Sequence, residues 1–448
     1  MTTNTLTVCF PGTDCWPDHG LVLREPNEKK CYNEDSGYIP SKIYNQLSSK
    51  GYHARVVPGC GVPYNALVKT LNVNRWFKEF DPESDSYTVI EQKLTTVFQD
   101  SIRGHSIDAI AAHAMSLIIG APVQLLEPTI KIDETGMNIA KDNNGKAIAL
   151  GLKCESAITK GIPSEPNLCW LEDDLNQYDE VTTRKWDIIN LIGHSRGGIV
   201  AVVTANFIAR YLPDVKVNII GLDPVAGTGT LPEHMCTLAK VKTGSYTGIY
   251  AIDETSTGFN GMVPKVLRES GKVWDPLTED YDSSVASKKN YHLIYSRGRH
   301  ATIPGSKVSD GTGDIEKLSD TIGCVGKLVS SLCWHNLQAW ETGIQGDWTK
   351  KENVESWKKR ILESSDQFYE MRNTHYTGGN YLFKNLRGIT STAGSKSWKW
   401  SYLESYINND VDKRTGRTDS VDKVTTAHVT WEALTGLADE EFLPASSD

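Results

Sequence analysis

The run Gly193-His194-Ser195-Arg196-Gly197 sets a hydroxyl between two glycines. It follows the apolar residues 188–192 and precedes an apolar, alanine-containing stretch that reaches about residue 211. This is the G-x-S-x-G spacing of a nucleophile elbow, a strand-to-helix turn too tight for side chains two residues to either side of the serine. The serine Oγ is expected to stand above the end of a strand. There it meets the N-terminus of the following helix, whose partial positive charge favours an anion. A serine hydroxyl attacks a carbonyl only when an imidazole takes its proton and a carboxylate fixes that imidazole. The chemistry to expect is acyl transfer through a serine ester.

In an elbow of this kind the acid and then the histidine follow the serine along the chain. Asp223 comes directly after the strand-like run 217–222, and Pro224 stops further pairing, so it is the first candidate acid. Asp253, after the run 248–252, is the alternative acid; either aspartate has a turn-capping role open to it as well. The candidate base is His300, in Arg297-Gly298-Arg299-His300, after the run 292–296 and ahead of Pro304-Gly305. His335, inside the helix-like 332–340, and His428 are the alternative bases. His194 is read as packing beside the elbow. An oxyanion hole needs two backbone N–H donors. Arg196, next after the nucleophile, offers one, and Thr13, in the turn Gly12-Thr13-Asp14 after the run 6–10, offers the other.

The elements that must position these groups alternate. Strand-like runs lie at 6–10, 53–57, 188–192, 215–222, 248–252 and 292–296. Helical spacing of Ile107, Ile110, Ala111 and Ala114 marks the region 88–126, and a helix follows the elbow. That rhythm predicts an α/β fold, a mostly parallel sheet with helices on both faces and ligands at the carboxyl ends of its strands. Residues 127–180 are polar and turn-rich, with Asp142-Asn-Asn-Gly145 as a hairpin tip, and read as an insertion or cap in a core spanning 1–320. Residues 321–448 hold seven of the twelve tryptophans. They read as a mostly helical layer packed on the core, or as a lid or lipid-facing surface.

A net charge of −9 over 448 residues, with no basic run, argues against nucleic acid as a partner. Nine scattered cysteines without C-x-x-C spacing fit a reduced protein and no structural zinc. The first residues lack the pattern of a signal peptide, and no apolar run is long enough to span a membrane. The expectation is a cytoplasmic protein, or one exported by a machinery that needs no signal. P-loop, dinucleotide and H-E-x-x-H motifs are absent, and the acidic clusters 172–174 and 439–441 read as solvated surface.

Taken together, the motifs resemble the bacterial α/β-hydrolases that include type VI secretion phospholipase effectors. The likeness is carried by Val8-Cys-Phe-Pro-Gly-Thr13, Val57-Pro-Gly-Cys-Gly61, Gly193-His-Ser-Arg-Gly-Gly198, Leu222-Asp-Pro-Val225, Ala251-Ile-Asp-Glu254 and Arg297-Gly-Arg-His300. Pro11 replaces an aspartate usual in that group, and Gly198 replaces a common alanine. Leu222-Asp-Pro is also similar to the strand-end Asp-Pro of neutral lipases, where the aspartate is the triad acid. The resemblance implies an α/β-hydrolase fold and a serine hydrolase of carboxylic esters, with lipids or phospholipids as substrates and, for an effector, an immunity or secretion-apparatus partner. An acyl-enzyme released by water needs no cofactor or metal, and a lipid-facing tryptophan surface would make peripheral contact with membrane. A small-molecule esterase, thioesterase or amidase is the alternative within enzymes. A non-catalytic binding protein on the same fold is the alternative outside them.

Overall fold

The computed structural model describes residues 3–17, 19–21, 32, 37–62, 78–81, 86–89, 104, 106–119, 123–126, 151–154, 186–225, 235–238, 241, 243–251, 253–254, 259, 261–267, 273–274, 291–307, 315–340, 342–345, 351–364, 367–368, 388–390, 398–399 and 431–433. The central feature is a seven-stranded sheet. Its strands are β1 (Thr5–Phe10), β2 (Ala54–Val56), β3 (Ile188–His194), β4 (Lys216–Leu222), β5 (Thr243–Ala251), β6 (Tyr291–Ser296) and β7 (Trp431–Ala433). They lie in the order β2-β1-β3-β4-β5-β6-β7, and every pairing is parallel. The central strands are buried along nearly their whole length. This is the reason they read as continuous apolar runs rather than alternating ones.

Helices cover both faces. On one, α2 (Ile107–Ile119) and α3 (Arg196–Tyr211) pack on Leu6, Val8, Phe10, Ile189, Leu191 and Ile219. On the other, α1 (Ile39–Ser49), α4 (Ile315–Ala339) and α5 (Lys351–Glu363) cover Cys9, Ile192, Ile220, Ile249 and Ile294. The interior is not wholly apolar. Thr7, Asn190 and Asn218 are in register across β1, β3 and β4. Asn190 Nδ2 donates to Thr7 Oγ1 at 3.3 Å and Asn218 Nδ2 to Asn190 Oδ1 at 2.9 Å. A slip of one residue would bury those amides without partners, so the row pins the register.

Three expectations change. The helical pattern of 88–126 is narrower than read: α2 occupies only its middle, while Ser86–Val89 and Val123–Leu126 are strands. Val123–Leu126 pairs antiparallel with Gly151–Cys154, and the Asp142–Gly145 tip between them lies outside the described residues. The helix read at 332–340 begins much earlier, at Ile315. The C-terminal region also supplies β7, a sheet edge strand, besides α4 and α5; Trp334 and Trp340 are buried, and Trp357 packs partly buried against the same core. Among the described residues no helix is long and apolar enough to cross a membrane.

Candidate active site

From β1 the chain first moves outward to β2, then returns to β3 on the other side. The crevice between the carboxyl ends of β1 and β3 is therefore the switch point where open α/β sheets bind ligands. Among the described residues, three non-glycine residues have positive φ: Asp14 (58°), Ser195 (57°) and Asp223 (47°). They fall just past β1, β3 and β4, three neighbouring strands. Such backbone costs about 1–3 kcal/mol per residue and persists only where the surroundings enforce it. All three are gathered at one edge of one sheet.

Ser195 caps α3 without a side-chain capping bond. The glycines around it are required by contact. A Cβ on Gly193 would stand 2.2 Å from the Gly197 carbonyl oxygen, and one on Gly197 would stand 2.2 Å from that of Phe10. The elbow is thus wedged against the end of β1, and its amide donates to the Leu222 carbonyl at 3.0 Å.

Asp223 is wholly buried. Its Oδ1 accepts the Ala251 N–H at 2.9 Å, and its Oδ2 accepts from His300 Nδ1 at 2.6 Å. A carboxylate acceptor at Nδ1 assigns the proton to that nitrogen, leaving Nε2 as the basic one. Neither Ser195 Oγ nor His300 Nε2 is among the described polar atoms sealed from solvent without a partner. Among the described residues no hydrogen bond joins these two atoms.

Asp253, the alternative acid, does not meet His300. Its Oδ2 accepts the Gly298 N–H at 2.7 Å and pairs with Arg297 Nε at 3.1 Å, an ion pair whose N–H is not aimed along the contact. The neighbouring Glu254 accepts the His300 N–H at 3.1 Å. These two buried carboxylates clamp the loop that carries His300. Of the alternative bases, His335 stands within α4, and the imidazole on the strand-end carboxylate is His300 instead. His428 lies outside the described residues.

Thr13 and Arg196 are brought together. Arg196 Nη1 donates to Thr13 Oγ1 at 2.8 Å. In the turn itself, Gly12 N–H donates to Tyr38 Oη at 2.6 Å, Asp14 N–H to the Cys60 carbonyl at 2.8 Å and Cys15 N–H to the Gly12 carbonyl at 3.0 Å. The Thr13 N–H has no acceptor among the described residues. Arg196 is the first residue of α3, where backbone N–H groups have no intrahelical acceptor.

His194 does more than pack beside the elbow. Its Nδ1 lies 2.9 Å from Tyr38 Oη, and its ring centroid is 4.6 Å from that of His300. Burial, and then the neighbouring His300, hold its pKa well below the usual 6.5. Tyr38 and Glu254 went unassigned at the level of sequence: Gly37-Tyr38-Ile39-Pro40 signals only a helix start, and Glu254 merely accompanies Asp253. Among the described residues no group of three or more metal-binding side chains is found.

No model of a known protein family matches the chain, and no curated protein matches it. Two solved structures are similar in part. One is an uncharacterized protein from Pseudomonas aeruginosa, 13% identical, over 83% of this chain and 50% of that one, with a TM-score of 0.37. The other is a Tle1 effector bound to the VgrG spike from the Type 6 secretion system, 13% identical, over 70% of this chain and 52% of that one, with a TM-score of 0.25. The chain spans about half the length of each of these structures.

Proposed function

We propose that the protein is a serine hydrolase of the α/β-hydrolase kind that cleaves carboxylic esters through an acyl-enzyme. The observation that supports this most directly is the 2.6 Å contact of buried Asp223 with His300, on the sheet edge where Ser195 is held at a φ of 57°. In this reading Ser195 Oγ attacks the ester carbonyl while His300 Nε2 takes its proton. Asp223 keeps the ring in the Nδ1–H tautomer and stabilises the imidazolium. The Thr13 and Arg196 N–H groups receive the oxyanion. His300 then protonates the departing alkoxide, and water, activated by the same nitrogen, releases the acid and restores the serine. The hydrogen bond between Ser195 and His300 forms in the substrate complex, since catalytic hydrogen bonds are often long in ligand-free enzymes.

A lipid or phospholipid ester is the substrate class carried by the motif resemblance in the sequence. The same resemblance carries the proposals of a secretion-apparatus or immunity partner and of export. The unbridged serine and imidazole favour one competing reading, a binding protein on the same scaffold.

The test is hydrolysis of p-nitrophenyl and phospholipid esters together with labelling by a fluorophosphonate probe. Ser195→Ala is expected to lower kcat at least about a thousandfold and to abolish labelling. Active wild-type protein that is unlabelled at Ser195, or a Ser195→Ala variant with full activity, overturns the proposal. Folded wild-type protein with neither activity nor labelling supports the binding reading.

A further inference from the structure

We infer that Tyr38 and His194 form a positioning pair that locks the Gly12-Thr13 turn to the nucleophile elbow, an inference that rests on the ester-hydrolase reading above. The hydroxyl of Tyr38 is the joint. It accepts the Gly12 N–H at 2.6 Å and stands 2.9 Å from His194 Nδ1, and the tyrosine is almost completely buried. A phenol carries one proton. Because Gly12 N–H can only donate, Oη accepts there, and its second lone pair and its proton remain for the contact with His194 Nδ1. Burial and the neighbouring His300 keep His194 neutral in this place.

The arrangement closes a loop of contacts around the reacting centre. His194 is the last residue of β3, covalently next to Ser195. Through Tyr38 it holds Gly12, and the imidazole is also in the way of any side chain there, since a Cβ on Gly12 would fall 2.5 Å from Nδ1. On its other side the ring lies against His300, 4.6 Å between centroids and tilted by 31°. One imidazole therefore touches both the turn that carries the proposed oxyanion donor and the proposed base. Thr13 N–H sits between two amides engaged by other partners, so its direction is set by the placement of Gly12 and Asp14. Removing the Tyr38 hydroxyl frees one of those anchors. A displacement on the order of 1 Å at such a donor costs about a hundredfold in rate.

The experiment uses the full chain with p-nitrophenyl butyrate as substrate and a trifluoromethyl ketone as oxyanion analogue. Tyr38→Phe deletes only the hydroxyl, and His194→Phe keeps a ring beside His300 while deleting Nδ1. Each variant is expected to lose about 10- to 100-fold in kcat with KM within about twofold, and to lose affinity for the ketone by the same factor. The double variant is expected to be no worse than the poorer single one, because both changes break one linkage. Unchanged kcat in folded Tyr38→Phe, a loss carried by KM alone, or single losses that multiply in the double variant overturn the inference. If Tyr38→Phe does not fold, His194→Phe with the same kcat and ketone readouts decides it. Failure of the parent reading shows separately, as wild-type protein that is neither active nor labelled at Ser195, and takes this inference with it.

Discussion

Three aspartates at the sheet edge have different duties because their partners differ. Asp223 has one oxygen on the Ala251 amide and one on His300, Asp253 holds the Arg297-Gly298 backbone and guanidinium, and Asp14 occupies a strained turn. Asp223→Asn is therefore expected to leave the fold intact and to lower kcat by about 10⁴, since an amide at that place favours the wrong imidazole tautomer. Asp253→Ala acts otherwise: it removes the acceptor of Gly298 N–H and the buried carboxylate paired with Arg297, and lowers stability by about 3 kcal/mol. Urea unfolding and kcat measured side by side separate the two, and equal effects of both changes would contradict the assignment. Ser195, Asp223 and His300 each stand just past a strand legible in the sequence, and the structure sets all three at one edge of the sheet. The sequence left Asp253 open because Asp253 follows a strand equally well, and only the distance to an imidazole distinguishes them. Tyr38 had no such marker, being joined to the site by a single hydroxyl across a long stretch of chain.

At the level of elements, strands were easier to place than helices. A strand buried on both faces declares itself as an unbroken apolar run, as residues 188–192 do. The helix α3, by contrast, is built from Ile199, Val200, Val202 and Val203, β-branched residues with weak helix preference. Its helical state follows from packing against α2 and the sheet, and the elbow before it supplied the legible cue. That elbow also sets the sharpest steric limit in the fold. Gly197→Ala drives a methyl into the Phe10 and Pro11 carbonyls and is expected to cost about 3 kcal/mol or more. The check is the urea midpoint and the soluble yield, and a normal midpoint would mean that the β1–elbow contact is looser than described. The tryptophans of α4 and α5 left two readings open in sequence. Trp334 in α4 and Trp340 just after it turn inward, while Trp348 and Trp400 lie outside the described residues.

Over the whole molecule, the site's buried groups tie folding to pH. His194 in the fold resists a proton that it binds readily when the chain is unfolded, below about pH 6.5. Between that pH and its depressed native value the unfolded state holds the extra proton, so stability rises with pH and drops on acidification. One such proton contributes a slope of at most about 1.4 kcal/mol per pH unit. Urea midpoints are expected to fall below about pH 6.5 in the wild type, and less steeply in His194→Phe; parallel curves would refute this. The sheet order has a consequence for how the chain is made. Thr7 of β1 lies beside Asn190 of β3, 183 residues further on. At roughly 5–20 residues per second the first strand leaves the ribosome on the order of 10–40 s before its central neighbour is synthesised. Throughout that interval the flank of the first strand that later meets Asn190 has no partner within its own chain, so the sheet closes there only after translation has passed that residue.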